Sequence, residues 1–394
     1  MNKKLIALAI ASAISAPAMA ATGNVDIYGL LSVGVDSVQN GDNTNDYSST
    51  GANVSTHNTN RVGRFSDYAS RIGFKGSEDL GNGLSAIWQI EQQINVDNGT
   101  GGFGGANLRN TFVGLKSKDM GSVLGGRYDT PYKVATARLD PFADTLGDYN
   151  GLVGNATSAA TVFTTATIPV FVSTKATSVG AGSYFDQRPS NTVAYMSPSW
   201  SGFSVAAAYA FGAENATANM VDKSANLYSV AAMYDAGPLF LSAAYEKHNF
   251  GSTGVGTFAG ANSTDESAYK IGAGYSIMDF TLGALYEKTK DNFNAGSNAL
   301  GHSTWYLSGK YQMGAVALKA AYGKANSNAT ADTGAKLYTV GADYSFSKRT
   351  TAYALYTQIK NDTNAGYNFS YNPASGIGAG DKPSGFSLGM KHAF

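Results

Sequence analysis

Seven of the chain's eight arginines, Arg61, Arg64, Arg71, Arg109, Arg127, Arg138 and Arg188, fall between residues 61 and 188. Arg71, Lys75, Arg109 and Arg127 stand on short stretches that alternate apolar with polar residues, and their parity matches the polar face. Gln89 and Glu91 share such a polar face, and Arg188 stands just ahead of another stretch. Between these basic residues come Asp140, Asp144 and Asp148, spaced by four. That spacing puts three carboxylates on one side of a helix, although Pro141 permits only a broken or late-starting one. Guanidinium stays charged at any working pH. Arginines facing carboxylates across a narrow aqueous passage make a transverse field, which selects ions and orients dipolar solutes. The plainer account of such charges is solvation, and it fits Arg61 and Arg64 better, because both lie in a polar stretch read as loop.

The elements that must hold these charges are strands. Leu84, Ala86, Trp88 and Ile90 alternate with Ser85, Ile87, Gln89 and Glu91. A strand that is apolar on one face and charged on the other, repeated around a closed sheet, separates lipid from water. Val25 to Val35 reads as the first strand, and residues 39–68 read as a long loop rich in Asn, Ser, Thr, Gly and Asp. Ser70–Gly76, Leu84–Glu91, Arg109–Leu115 and Val123–Tyr128 follow as strands. From Asp129 to about Pro189 no strand is readable, and a barrel can place such a segment either in its lumen or over its mouth. Lys133–Arg138 reads as a short helix within it, and residues 154–182 are a bland Ala, Thr, Ser and Val tract. Beyond Asn191 a hairpin repeat emerges, with Tyr234 and Tyr245, Tyr275 and Tyr286, Tyr311 and Tyr322, and Tyr344 and Tyr356 flanking tight turns. Polar stretches at 213–224, 249–265, 290–302, 325–334 and 361–383 separate the hairpins. Short turns at one rim and long loops at the other are the asymmetry of an outer-membrane barrel. The count is about 16 strands, five before residue 130 and eleven after. The expected fold is all-β, a transmembrane antiparallel β-barrel over residues 21–394.

Composition agrees. Only 14% of residues are charged, and the chain carries 47 Gly and 24 Tyr but no Cys. Tyrosine suits the aromatic girdles of such a barrel. Residues 1–20 read as a secretory signal peptide, with Lys3 and Lys4, an apolar run from Leu5 to Ile14, and the small-x-small site Ala18-Met19-Ala20. Basic and acidic residues balance at 28 each, no signature of a nucleic-acid binder. Gly99 to Gly104 spells a dinucleotide-type glycine pattern without the following helix that such binding requires. His57, His248, His302 and His392 are scattered, match no metal spacing, and read as surface or interface residues. No nucleophile elbow is present. Glu78-Asp79 and Asp265-Glu266 read as solvated turn and loop residues. No enzyme, metal or cofactor is expected.

The runs SRIGFKGSEDLGNGLSAIWQIEQ and RNTFVGLK…GGRYDTPY, with the ending GFSLGMKHAF, resemble the Gram-negative general porins of the beta- and gamma-proteobacterial type. The resemblance covers almost all of the chain after residue 20. It implies a homotrimeric outer-membrane channel for passive diffusion of ions and small hydrophilic solutes, with its third extracellular loop folded into the lumen. It also implies contact with outer-membrane lipid and lipopolysaccharide. Phe394, closing a strand on which Phe386, Leu388, Met390 and His392 share its face, resembles the signal read by the outer-membrane assembly machinery. Two rivals are weighed: a substrate-specific channel, for instance for sugars, which needs an aromatic track in the lumen, and a structural or adhesive barrel, which needs an apolar plug. The arginine excess on the wall favours anions.

Overall fold

The computed structural model describes residues 24–39, 41, 61–97, 108–154, 185–211, 226–249, 265–291, 301–371, 374, 377 and 379–394. The expected signal peptide, the glycine pattern and most of the bland 154–182 tract lie outside them. Among the described residues there are seventeen strand segments in one antiparallel sheet. They are β1 (Asn24–Gln39), β2 (Arg61–Asp67), β3 (Arg71–Gly81), β4 (Leu84–Gln93), β5 (Thr111–Ser117), β6 (Gly121–Arg127), β7 (Thr192–Met196), β8 (Phe203–Phe211) and β9 (Asn226–Ala236). They continue as β10 (Leu239–Asn249), β11 (Asp265–Ile277), β12 (Phe280–Asp291), β13 (Ser303–Met313), β14 (Val316–Ala325), β15 (Ala335–Ser345), β16 (Thr350–Asn361) and β17 (Ser384–Ala393).

The segments β2 and β3 are one barrel strand. Both pair with the same side of β1, β2 along Val33–Gln39 and β3 along Asn24–Leu30. The break between them is Tyr68-Ala69-Ser70, with Ala69 at φ 56°. Tyr68 N–H still donates to Ser32 O (2.7 Å), and Ser70 Oγ accepts from Ser32 N–H (2.9 Å), so the ladder is bridged. The wall therefore has 16 strands, as the sequence reading counts them. Its strand bounds differ: Arg61 and Arg64, Glu78-Asp79 and Asp265-Glu266, read there as loop or turn residues, sit on β2, β3 and β11, because polar residues occupy strand ends and an inward face as readily as a loop. Arg64 pairs with Asp36 inside, whereas Arg61 keeps the outward side of Phe65. The other edge of β1 pairs with β17 from Leu30–Ala393 to Gln39–Ser384, which closes the sheet and leaves no edge.

The outward face is apolar. Val25, Ile27 and Val35 on β1, Val113 and Leu115 on β5, and Phe386, Leu388 and Met390 on β17 are all exposed, the reverse of a water-soluble core. Two aromatic rows ring this belt. Tyr228 with Tyr245, Tyr269 with Tyr286, Tyr286 with Trp305, and Tyr322 with Tyr338 lie near the long-loop rim. Phe280 stacked on Tyr311 (4.4 Å) and Tyr344 against Phe346 lie near the short-turn rim. Amphipathic rings at both levels mark the two membrane interfaces. The short turns are locally encoded: Asn82 (φ 52°) and Gly83 (φ 74°) supply the two positive-φ residues of a tight hairpin. No helix among the described residues is long and apolar enough to cross a membrane.

Candidate functional site: a loop latched across the lumen

Between β6 and β7 the chain turns inward. Thr130 caps the short helix Pro131–Ala137, accepting from Lys133 N–H, with Pro131 in the first turn. The helix lies on the inner face of β9, β10 and β11. Its root is held by buried polar groups: Tyr132 O–H donates to Glu287 Oε1 (2.6 Å), and Gly154 N–H donates to Glu287 Oε2 (2.8 Å). Lys270 pairs with Asp186 beside the Tyr132 ring. His248 is fully buried between Glu246 (2.9 Å) and Glu266 (2.5 Å) and stacks on Phe185. His302 is also buried. These two histidines and Glu266 belong to the inner structure, not to a solvated surface as the sequence suggested.

From Arg138 to Asp148 the chain runs along the wall without helical structure, ahead of a single 3-10 turn at Tyr149–Gly151, and its carbonyls are caught by donors from four strands. Leu139 O accepts from Ser308 Oγ on β13 (2.6 Å), and Pro141 O from Lys319 Nζ on β14 (3.0 Å). Ala143 O accepts from Lys391 Nζ on β17 (2.5 Å), and Asp144 O from Ser32 Oγ on β1 (3.2 Å). The side chains between these latches fit over glycines. A Cβ on Gly272 would lie 2.7 Å from Leu139, on Gly341 3.1 Å from Phe142, on Gly385 2.4 Å from Leu146, and on Gly323 3.4 Å from Leu152. Leu139, Phe142, Leu146 and Leu152 are buried there, each contributing about 1.5–3 kcal/mol by leaving water. The segment's apolar packing thus runs mainly along the β9–β17 side of the lumen, and the charged residues of β3 and β4, with Arg109 and Arg188, lie opposite.

The three aspartates do not share a helical face, because residues 138–148 are not helical. Asp140 and Asp148 are buried and act on the backbone. Asp140 accepts from Phe142 N–H (2.9 Å), Tyr149 N–H (2.9 Å) and Tyr306 O–H (2.7 Å). Asp148 accepts from Asn150 N–H (2.9 Å) and Asp144 N–H (3.2 Å). Burial raises the pKa of Asp140; burial with the neighbouring Asp140 and Asp144 charges pushes Asp148 up to about 8. Asp144 alone reaches across. Its Oδ2 accepts from Arg71 Nη1 at 3.0 Å, and its Oδ1 from Tyr371 O–H at 3.3 Å. Burial opposes its charge, but Arg71, Lys391 and Arg109 outweigh it and hold its pKa below the ordinary value.

The wall residues divide in the same way. Arg71, Lys75, Gln89 and Glu91 take lumen parity by register, since Arg71 pairs with Leu30 and Gln93, Gly73 with Glu91, and Lys75 with Gln89. Lys75 stands over the Tyr28 ring, away from Asp144. Gln89 donates to Asn110 O (3.1 Å). Arg109 precedes β5 and is placed by Glu91, whose Oε1 accepts from Nε at 2.7 Å while Oε2 accepts from Tyr28 O–H at 2.9 Å. Arg188 donates to Asn110 Oδ1 (2.8 Å) and pairs with Asp129 (3.0 Å), which also pairs with Lys133 (2.9 Å). Arg127 departs from the expected parity. It shares the side of Val123 and Thr111, beside Gly126 at φ 147°, and donates to Leu108 O (2.8 Å) and Ser190 Oγ (3.0 Å) at the rim. The patch holds five basic groups (Arg71, Arg109, Arg127, Lys133, Arg188) against three carboxylates (Glu91, Asp129, Asp144). No group of three metal-ligating side chains occurs among the described residues.

Phe394 completes the closure. Its N–H and O exchange hydrogen bonds with Gly29 (3.1 and 3.0 Å), and its ring covers the place where a Gly29 Cβ would stand, 2.3 Å from Cζ.

Comparison with known proteins fits this geometry. The profile of the Gram-negative porin family matches residues 7–364. The major outer membrane protein P.IB of Neisseria sicca is 30% identical, aligned over 89% of this chain and 92% of its own. The outer membrane porin protein 32 of Delftia acidovorans is 27% identical over the full length of both. Among solved structures, the anion-selective porin from Comamonas acidovorans superposes with a TM-score of 0.71 at 22% identity, covering 94% of this chain and all of that one.

Proposed function

The chain belongs to the Gram-negative porin family, a barrel channel of the outer membrane, and we propose that Arg71, Arg109 and Arg188, facing Asp144, form the eyelet that sets its selectivity. The observation that carries this reading is the single bridge from Asp144 to Arg71, where the latched segment meets the polar wall. Water and small solutes pass between that segment and β3–β6. The five basic groups of the patch against its three carboxylates lower the energy of an anion there and raise that of a cation. The preference is weak, because Glu91, Asp129 and Asp144 each neutralise a basic neighbour. Lys75 and Gln89 line the approach, and Arg127 acts from the rim. Asp140 and Asp148 are turned onto the segment's own N–H groups and shape it.

The channel works as a homotrimer, seated among outer-membrane lipid and lipopolysaccharide. The exposed alternate residues of β17, ending at Phe394, serve as the strand that the assembly machinery reads. Replacing Arg71 and Arg109 together by Ala should move the reversal potential in a salt gradient toward cations. An unmoved potential would sink the eyelet assignment. Insertion of conductance in groups of three tests the trimer.

A further inference from the structure

Described residues of the segment between β16 and β17 also enter the barrel. Its base is tied by Asn361, whose Nδ2 donates to Tyr367 O (2.9 Å) and Asp381 O (2.8 Å) while its Oδ1 accepts from Tyr367 N–H (2.9 Å). Asn361 is buried, so this clamp turns the chain inward at the strand end. Ala365, Tyr367, Phe369, Ala374 and Ile377 are buried in the same apolar cluster as Tyr149, Leu152 and Val153 of the first inward segment. A second clamp lies deeper, where Asn368 Nδ2 donates to Ala374 O (2.8 Å). Tyr371 lies between the two ends of that clamp. It is half-buried, donates to Asp144 Oδ1, and stands edge-on to Tyr68 at 6.4 Å. Tyr68 in turn donates to Asp36 (2.6 Å), which also holds Ser66 and Arg64. Arg109 and Arg188 are within electrostatic reach of the Tyr371 hydroxyl.

We propose that Tyr371 is a specificity-determining residue of the passage: its ring forms part of the eyelet's rim, and its hydroxyl holds Asp144 in line with Arg71. The inference rests on the eyelet reading above. The eyelet then has three sides: the Arg71 strand, the Asp144 segment, and Tyr371 of the last loop. A ring on that rim limits solute size independently of charge. A neutral hydroxyl on the second oxygen of Asp144 leaves its other oxygen directed at Arg71. A loop that merely covered the mouth would need neither the buried Asn361 clamp nor a contact with the inner carboxylate.

The test uses purified full-length barrel in planar bilayers and in liposomes swollen with uncharged oligosaccharides of graded size. Tyr371→Ala should raise single-channel conductance and the size limit, and Tyr371→Trp should lower both. Tyr371→Phe should keep the size limit and change only ion selectivity. Heat-modifiable migration checks that each variant is folded. If folded Ala and Trp variants both conduct like wild type with the same size limit, the proposal is wrong. The eyelet reading itself fails on a different result, unchanged selectivity when Arg71 and Arg109 are removed.

Discussion

Asp144→Asn removes one negative charge from the eyelet and almost nothing else. The amide keeps an oxygen for Arg71 and fills the same volume. Because Arg71 and its basic neighbours depress the Asp144 pKa, the carboxylate is fully ionised at neutral pH, and the substitution removes a whole charge. An ion passing about 5 Å away interacts with that charge by about 0.8 kcal/mol at the dielectric of bulk water. Screening over about 10 Å at 0.1 M salt reduces this to about 0.5 kcal/mol. Anions gain, and cations lose, about twofold each. The anion-to-cation permeability ratio should therefore rise about fivefold, and a lower dielectric in the lumen enlarges the effect. The assay is the reversal potential across a planar bilayer in a KCl gradient. Asp148→Asn is the matched control: with its pKa near 8, that carboxyl is already mostly neutral at pH 6, so the ratio should not move there. A ratio unchanged by Asp144→Asn, or a shift equal to that of Asp148→Asn, would refute the placement of Asp144 as the one carboxylate of the segment that permeating ions sense.

Arg109→Ala should shift selectivity toward cations more than Arg127→Ala, since Arg127 is drawn to Leu108 and Ser190 at the rim; reversal potentials of the two variants decide this. Tyr306→Phe removes one of the two hydrogen bonds to Asp140 Oδ1, which keeps Phe142 N–H, a loss of about 0.5–1.5 kcal/mol, to be read as a lower heat-modification temperature. The Asp148 carboxyl is raised from 3.8 to about 8, so its protonated form stabilises the latched segment; that contribution is complete below pH 3.8 and is lost as pH rises toward about 8. Amide exchange of residues 144–150, corrected for its intrinsic pH dependence, should quicken over that range in wild type and less so in Asp148→Asn. Gly385→Val should push Leu146 out of its socket and raise current noise, because a Cβ there lies 2.4 Å from Leu146.

The barrel was legible because its signal is repeated. Alternation on β4, the tyrosine hairpins from β9 to β16 and the polar connections between them each fix one strand, and a fault in one place does not spread. The fault at Arg61–Asp67 came from two faces nearly as polar as a loop, with only Val62 and Phe65 as large apolar residues. The site was less legible, because it depends on contacts far apart in sequence. Regular spacing of Asp140, Asp144 and Asp148 suggests a shared face, yet the carbonyl latches from Ser308, Lys319, Lys391 and Ser32 stretch the segment and turn only Asp144 outward. Those donors are single residues on separate strands, with no local pattern. One signal was available: glycines at lumen positions of β11, β12, β14, β15 and β17 leave room for something to pack against the wall. Arg127 illustrates the remaining difficulty: alternation from Val123 puts it on the outward side of the strand, and only its place at the strand end lets it reach Leu108 and Ser190.

The account is tested most directly by recording from the purified wild-type barrel in a planar bilayer under a KCl gradient. It predicts large, mostly open conductance arriving in groups of three, with a reversal potential on the anion side. A correctly folded, heat-modifiable barrel that passes no current, or one whose potential lies on the cation side, would contradict it.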